Sequence, residues 1–142
     1  MTVDVALTPD SARAVLEAQP FSMLVGARMT QFGDGRTTLE IPVRDDLRQQ
    51  SGFVHGGVLS YAADNALTFA AGTVLGANIM TAGFTITYLR PALGVILRAD
   101  ARADAATRRQ ALCRCDIYAV QEDGSEVLCA AAQGTATVKQ TR

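Results

Sequence analysis

From Gln49 to Leu89 the chain carries one ionised side chain, Asp64. The stretch opens as Gln49-Gln-Ser-Gly-Phe-Val-His55-Gly56-Gly57 and continues in small and apolar residues to Leu75. Such a run predicts one helix from Gly56 to about Leu75, the element around which the rest is built. At ~1.5 Å per residue it spans roughly 30 Å, the width of a small domain.

On a helical wheel, Val58, Leu59, Ala62, Ala63, Ala66, Phe69, Ala70, Thr73 and Val74 share one side. The other side holds Gly57, Ser60, Tyr61, Asp64, Asn65, Thr68, Ala71 and Gly72. A solvated face carries Lys and Glu, and this second face has neither. It is therefore expected to be covered, by other parts of the fold or by a second chain. A lone carboxylate on a covered face must be hydrogen-bonded or perturbed, because burying an unpaired charge is costly. Asp64 is thus the leading candidate for chemistry.

The rest of the chain surrounds this helix with strands. Thr8-Pro9-Asp10-Ser11 has the form of a helix start, with a capping hydroxyl and Pro at the first position. It predicts a short helix over about residues 9–18, ended by Gln19-Pro20-Phe21. Met23 to Phe32 is expected as a strand, Gly33-Asp34-Gly35 as a turn, and Arg36 to Val43 as the return strand. Pro42 marks an edge or a strand end. Gly76-Ala77-Asn78 stops the long helix. Met80 to Arg90, Val95 to Asp104, Arg109 to Val120 and Val127 to Val138 complete the strands, and Lys139 to Arg142 is a tail. Leu97, Ala99, Ala101 and Ala103 alternate with Arg98, Asp100, Arg102 and Asp104, which predicts a solvated sheet face with cross-strand ion pairs. The economical packing is α+β, an antiparallel sheet wrapped around one long central helix, in one domain of residues 1–142.

A net charge of −1 with no basic run argues against a nucleic-acid partner. The first seven residues show no secretory leader, and the Gly-punctuated helix with its Asp64 does not suit a membrane span. A cytosolic protein is expected. Cys113, Cys115 and Cys129 are odd in number, lack metal-type spacing and are accompanied by a single histidine. They are expected as small buried hydrophobes, with no metal or other cofactor.

Gly56 and Gly57 open the helix where Ser, Thr or Asp usually caps, which fits either a tight loop-to-helix turn or a close approach of something to the backbone. A helix N-terminus offers free N–H groups that polarise a carbonyl or hold an oxyanion. His55 is placed to hydrogen-bond the loop or line the pocket. Gly57 and Asp64 are seven residues apart, about 10 Å along one helix, too far to act on one carbonyl. If they cooperate, Asp64 comes from another chain, at a two-fold homodimer interface.

Gly52-Phe-Val-His55-Gly56-Gly57, Ala63-Asp64-Asn65-Ala66, Tyr88-Leu89-Arg90-Pro91-Ala92 and Ala131-Ala132-Gln133-Gly134-Thr135 together resemble the hotdog-fold thioesterases of the phenylacetate-degradation (PaaI-like) type. The match runs from about residue 20 to 138. The resemblance implies a dimer or dimer of dimers that hydrolyses an acyl-CoA thioester at its interface. It places Asp64 as base or nucleophile and Gly57 as backbone donor to the carbonyl. Gln49 stands where many members carry Asn, to orient water or substrate. Arg90, Arg108 and Arg109 occupy positions similar to those that meet CoA phosphates. Gly56, Tyr61 and Thr68 are placed to line the site. The small residues Ala62, Ala63, Ala66, Ala70 and Ala71 are expected to leave room for an aromatic or medium-chain acyl group. Two other readings share the fold: a non-catalytic acyl-CoA binder, and an enoyl-CoA hydratase or dehydratase using His55 with Asp64.

Overall fold

The computed structural model describes residues 6–140. The extreme N-terminus, where no leader was read, and the last two tail residues lie outside that range. Helix α1 (Pro9–Glu17) starts as its sequence dictates: Thr8 accepts from the Ser11 N–H and the Ser11 hydroxyl accepts from the Thr8 N–H. Next the chain departs from the expected helix end at Gln19-Pro20-Phe21 and the expected strand from Met23. Pro20–Val25 forms helix α2, with Pro20 in its first turn and Gly26 closing it in the left-handed region at φ 89°. Pro at the start and Gly just past the end are the usual punctuation of a helix. The expected strand from Met23 therefore begins only at Arg28.

Strands β1 (Arg28–Gly33) and β2 (Arg36–Pro42) form a hairpin, and Pro42 ends its strand. A loop containing one 3-10 turn (Asp45–Leu47) leads into helix α3 (Gly56–Leu75). Strands β3 (Ile79–Tyr88), β4 (Ile96–Ala106), β5 (Gln110–Val120) and β6 (Glu126–Val138) follow. All pair antiparallel in one six-stranded sheet of order β1-β2-β4-β5-β6-β3. This is the hotdog arrangement, a sheet wrapped around one long helix. Its two edges are β1 and β3.

The core lies between α3 and the inner sheet face. Leu39, Ile41, Leu97, Ala99, Cys113, Cys115 and Ile117 face the helix and are buried. Ala62, Ala63, Ala66, Ala70 and Ala71 are buried as well. Their small side chains bring the helix axis close to the strands and are packed there, so the acyl space expected beside them does not exist. Ala71 and Gly72, assigned to the second face, are buried, while Val74 of the first face is exposed. Leu7 and Ile79 cover Gly72: a β-carbon there would stand 3.0 Å from Leu7 Cδ1 and 3.6 Å from Ile79 Cδ1.

The outer sheet face carries the expected cross-strand pairs. Arg98 bonds Glu126 at 2.8 Å and Asp100 at 3.1 Å, and Arg114 bonds Asp104 at 2.8 Å. No described helix is long and apolar enough to cross a membrane.

Candidate active site

The second face of α3 is half-buried, and the chain's own α2 does much of the covering. Tyr61 donates its hydroxyl to Ser22 Oγ, and Ser22 donates to Gln19 Oε1. Asn65 Nδ2 reaches Gln19 Oε1 at 3.0 Å and Tyr61 Oη at 2.9 Å. These four polar side chains satisfy one another and fix α2 across α3. Arg44 fastens the other end of α2 by donating to the carbonyls of Leu24 and Val25 while pairing with Asp46 at 2.7 Å.

Asp64 projects from this face into a cleft of about 600 Å³ between α2, α3 and β3. Its Oδ1 accepts the Thr81 hydroxyl at 2.6 Å. Thr68 Oγ1 lies 2.6 Å from Thr81 Oγ1 and 2.9 Å from the Asp64 carbonyl oxygen, to which it donates. One carboxylate oxygen is thereby held, and among the described residues Oδ2 has no partner. Tyr61 and Thr68 line the same cleft, as expected. Thr81 was not foreseen. It reaches Asp64 because β3 shifts register against β6 between Thr81 and Gly83. The bulge switches the inward-facing set from Ile79 and Thr81 to Phe84 and Ile86. The parity break at Ala82-Gly83 was the available clue.

His55, Gly56, Gly57 and Arg90 line a different cleft of about 560 Å³. His55 caps α3: its Nδ1 accepts from the Gly57 N–H at 2.8 Å, which leaves the ring hydrogen on Nε2. The Gly57 N–H is therefore held by the chain's own imidazole. Tyr88, also in this cleft, donates to the Gly56 carbonyl at 2.9 Å and lies 2.8 Å from Ser60 Oγ. The two glycines follow from these neighbours. A β-carbon on Gly57 would sit 2.9 Å from His55 Nδ1, and one on Gly56 would sit 3.3 Å from the Tyr88 ring.

Gln49, Arg108 and Arg109 are not brought into either cleft. Gln49 accepts from the Ser51 N–H within its own loop. Arg108 is exposed in the β4–β5 turn, and Arg109 faces a separate cleft beside Lys139. Arg90 in its cleft donates to the Leu128 carbonyl at 2.9 Å. The three cysteines are buried and unpaired with one another. Burial pushes the Cys113 thiol up to about 11, with the Asp104 carboxylate adding to it, and burial raises Cys115 further. Among the described residues no three His, Cys, Asp or Glu side chains cluster as a metal site.

The chain thus holds two half-sites, a carboxylate fixed at one oxygen and a helix N-terminus dressed by histidine, in separate clefts. Residues 51–126, which span both, match the family model of the thioesterase superfamily. No curated protein matches the chain. Among solved structures it is similar to a thioesterase family protein from Silicibacter pomeroyi at 28% identity, covering 92% of this chain and 96% of that one, with a TM-score of 0.86. A point mutant of the phenylacetic acid degradation protein PaaI from Thermus thermophilus is also 28% identical, covering 85% of this chain and 100% of that one at a TM-score of 0.73. The PaaI protein of Escherichia coli, 20% identical with 92% of each chain covered and a TM-score of 0.78, shares the fold. The chain belongs to the thioesterase superfamily, as a PaaI-like hotdog protein whose family activity is thioester hydrolysis.

Proposed function

We propose that the protein hydrolyses an acyl-CoA thioester at a homodimer interface, with Asp64 of one subunit facing the His55–Gly57 helix tip of its partner. The observation that carries this reading is the separation of the two half-sites. Neither cleft alone contains both a carboxylate that can take a proton and a backbone donor for an oxyanion. A two-fold axis beside β3 unites them twice. Strand β3 suits that role: it is a ten-residue sheet edge with one neighbour, and Met80, Tyr88 and Leu89 at its ends are exposed. An open edge of that length is an invitation to pair with a second strand.

In the assembled site the thioester carbonyl takes the Gly57 N–H, displacing the His55 ring from that hydrogen. The positive end of α3 and that N–H then hold the oxyanion. Asp64 Oδ2 takes a proton from water as the water oxygen attacks the carbonyl carbon. The tetrahedral intermediate collapses, the carbon–sulfur bond breaks, and the CoA thiolate leaves to be protonated. Thr81 keeps Oδ1 occupied, so one lone-pair set of Asp64 serves as base. The site needs no cofactor for this, and the reading places the reaction in the cytosol.

The test is hydrolysis of a panel of acyl-CoAs by wild type and Asp64→Asn. Thiol release by wild type and its loss in the variant is the expected result. Tight acyl-CoA binding without thiol release would establish a binder instead, and enoyl-CoA hydration would establish a hydratase.

A further inference from the structure

The cleft at Asp64 has a wall that the reaction does not use. On α2, Phe21 turns its ring into this cleft, edge-on to Tyr61 with centroids 5.3 Å apart, and remains 59% exposed. Across the cleft stands Met80, 53% exposed. A half-exposed aromatic ring on the wall of a cleft is apolar surface that a ligand can cover. Here it is held in place. Ser22 and Gln19, on either side of it in sequence, are locked to Tyr61 and Asn65, and Arg44 locks the C-terminal end of α2. An apolar ring fixed in this way beside the reacting carboxylate is preorganised for an apolar group next to the scissile bond. The helix alanines, packed against the sheet, offer that group no space of their own. No Lys or Arg lines the cleft, so nothing in it offsets a second negative charge near Asp64.

We propose that Phe21 is the residue that selects the acyl group, with Met80 opposite, and that the group selected is apolar and uncharged. This rests on the hydrolytic reading of the Asp64 cleft. The acyl chain enters between Phe21 and Met80 with its carbonyl toward Asp64, and the ring loses its exposure to water on binding.

The experiment compares kcat/KM for octanoyl-CoA and acetyl-CoA. In wild type octanoyl-CoA is favoured. Phe21→Ala lowers the octanoyl-to-acetyl ratio about tenfold, as loss of one half-covered aromatic contact predicts. Phe21→Leu restores most of the ratio, and Leu24→Ala, on the same helix outside the cleft, leaves it in place. A ratio unchanged in Phe21→Ala, or a parallel fall for both substrates, overturns the proposal. Should Phe21→Ala not fold, Phe21→Gln at this exposed position reads the same ratio. If wild type cleaves neither thioester, the hydrolytic reading fails, and the Kd values of the two non-hydrolysable thioether analogues decide this proposal. An octanoyl preference that Phe21→Ala removes upholds it; equal binding of both analogues by wild type overturns it.

Discussion

The Thr81 hydroxyl donates to Asp64 Oδ1 at 2.6 Å, across the junction of β3 and α3 and seventeen residues further along the chain. That contact leaves a carboxylate on a half-buried helix face with one oxygen fixed and one free. It fixes the direction in which the free oxygen points, and direction is what a general base needs.

Removing the Thr81 hydroxyl is therefore expected to act on the chemical step. Thr81→Val lowers kcat for thioester hydrolysis about tenfold or more, the range for losing a hydrogen bond to a charged group. KM moves little, and Thr81→Ser recovers most of kcat. Steady-state kinetics on the three proteins check this.

The route of the oxygen distinguishes base from nucleophile. With Asp64 as base, the first turnover in 18O-labelled water puts the label directly into the released acid. With Asp64 as nucleophile and water attacking the aspartyl carbonyl of the resulting anhydride, the first turnover delivers an unlabelled aspartate oxygen to the product, so an unlabelled first product marks the nucleophile. Mass spectrometry of the acid under single-turnover conditions, enzyme in excess, is expected to show label from the start.

Arg44 ties α2 to the segment before the His55 loop. Arg44→Ala leaves the Leu24 and Val25 carbonyls without that donor and breaks the pair with Asp46. A loss of about 2 kcal/mol in unfolding free energy is expected. Urea denaturation followed by circular dichroism measures it.

The cysteines serve the core. Cys113, Cys115 and Cys129 are buried, and burial raises all three thiols, Cys113 to about 11. At pH 8 they are expected to react with an aromatic disulfide reagent only after denaturation, because the thiolate is the reactive form. Time-resolved thiol titration with and without guanidinium chloride gives the comparison.

What was legible in the sequence follows the physics of each element. Helix α3 announced itself by twenty residues with one charge, and β4 by strict alternation of apolar and charged residues. Asp64 was visible because nothing else on its face ionises. Helix α2 was missed because six residues make too short a run for periodicity, although Pro20 and Gly26 bracket it. Thr81 was hidden by the bulge, which breaks the two-residue period on which strand faces are read. The acyl space was misplaced because a row of alanines allows either a cavity or a close helix–sheet approach. Only the packing of Leu97, Cys115 and Ile117 against α3 decides for the second. The tyrosine of Tyr88-Leu89-Arg90-Pro91 stood in a recognised motif, yet its bond to the Gly56 carbonyl depends on β3 ending beside the tip of α3.

Subunit complementation tests the shared site most directly. Asp64→Asn removes the base, and Gly57→Pro removes the backbone donor and with it the bond that holds His55, whose ring must turn aside because a β-carbon at Gly57 would stand 2.9 Å from its Nδ1. Each variant alone is expected to be inactive while remaining dimeric. When equal amounts are unfolded together and refolded, about half of the dimers are mixed, and one of the two sites in each is intact, so about a quarter of wild-type activity returns. A mixture that stays as inactive as its two components would show that Asp64 and Gly57 do not meet across a subunit boundary, and would contradict the account.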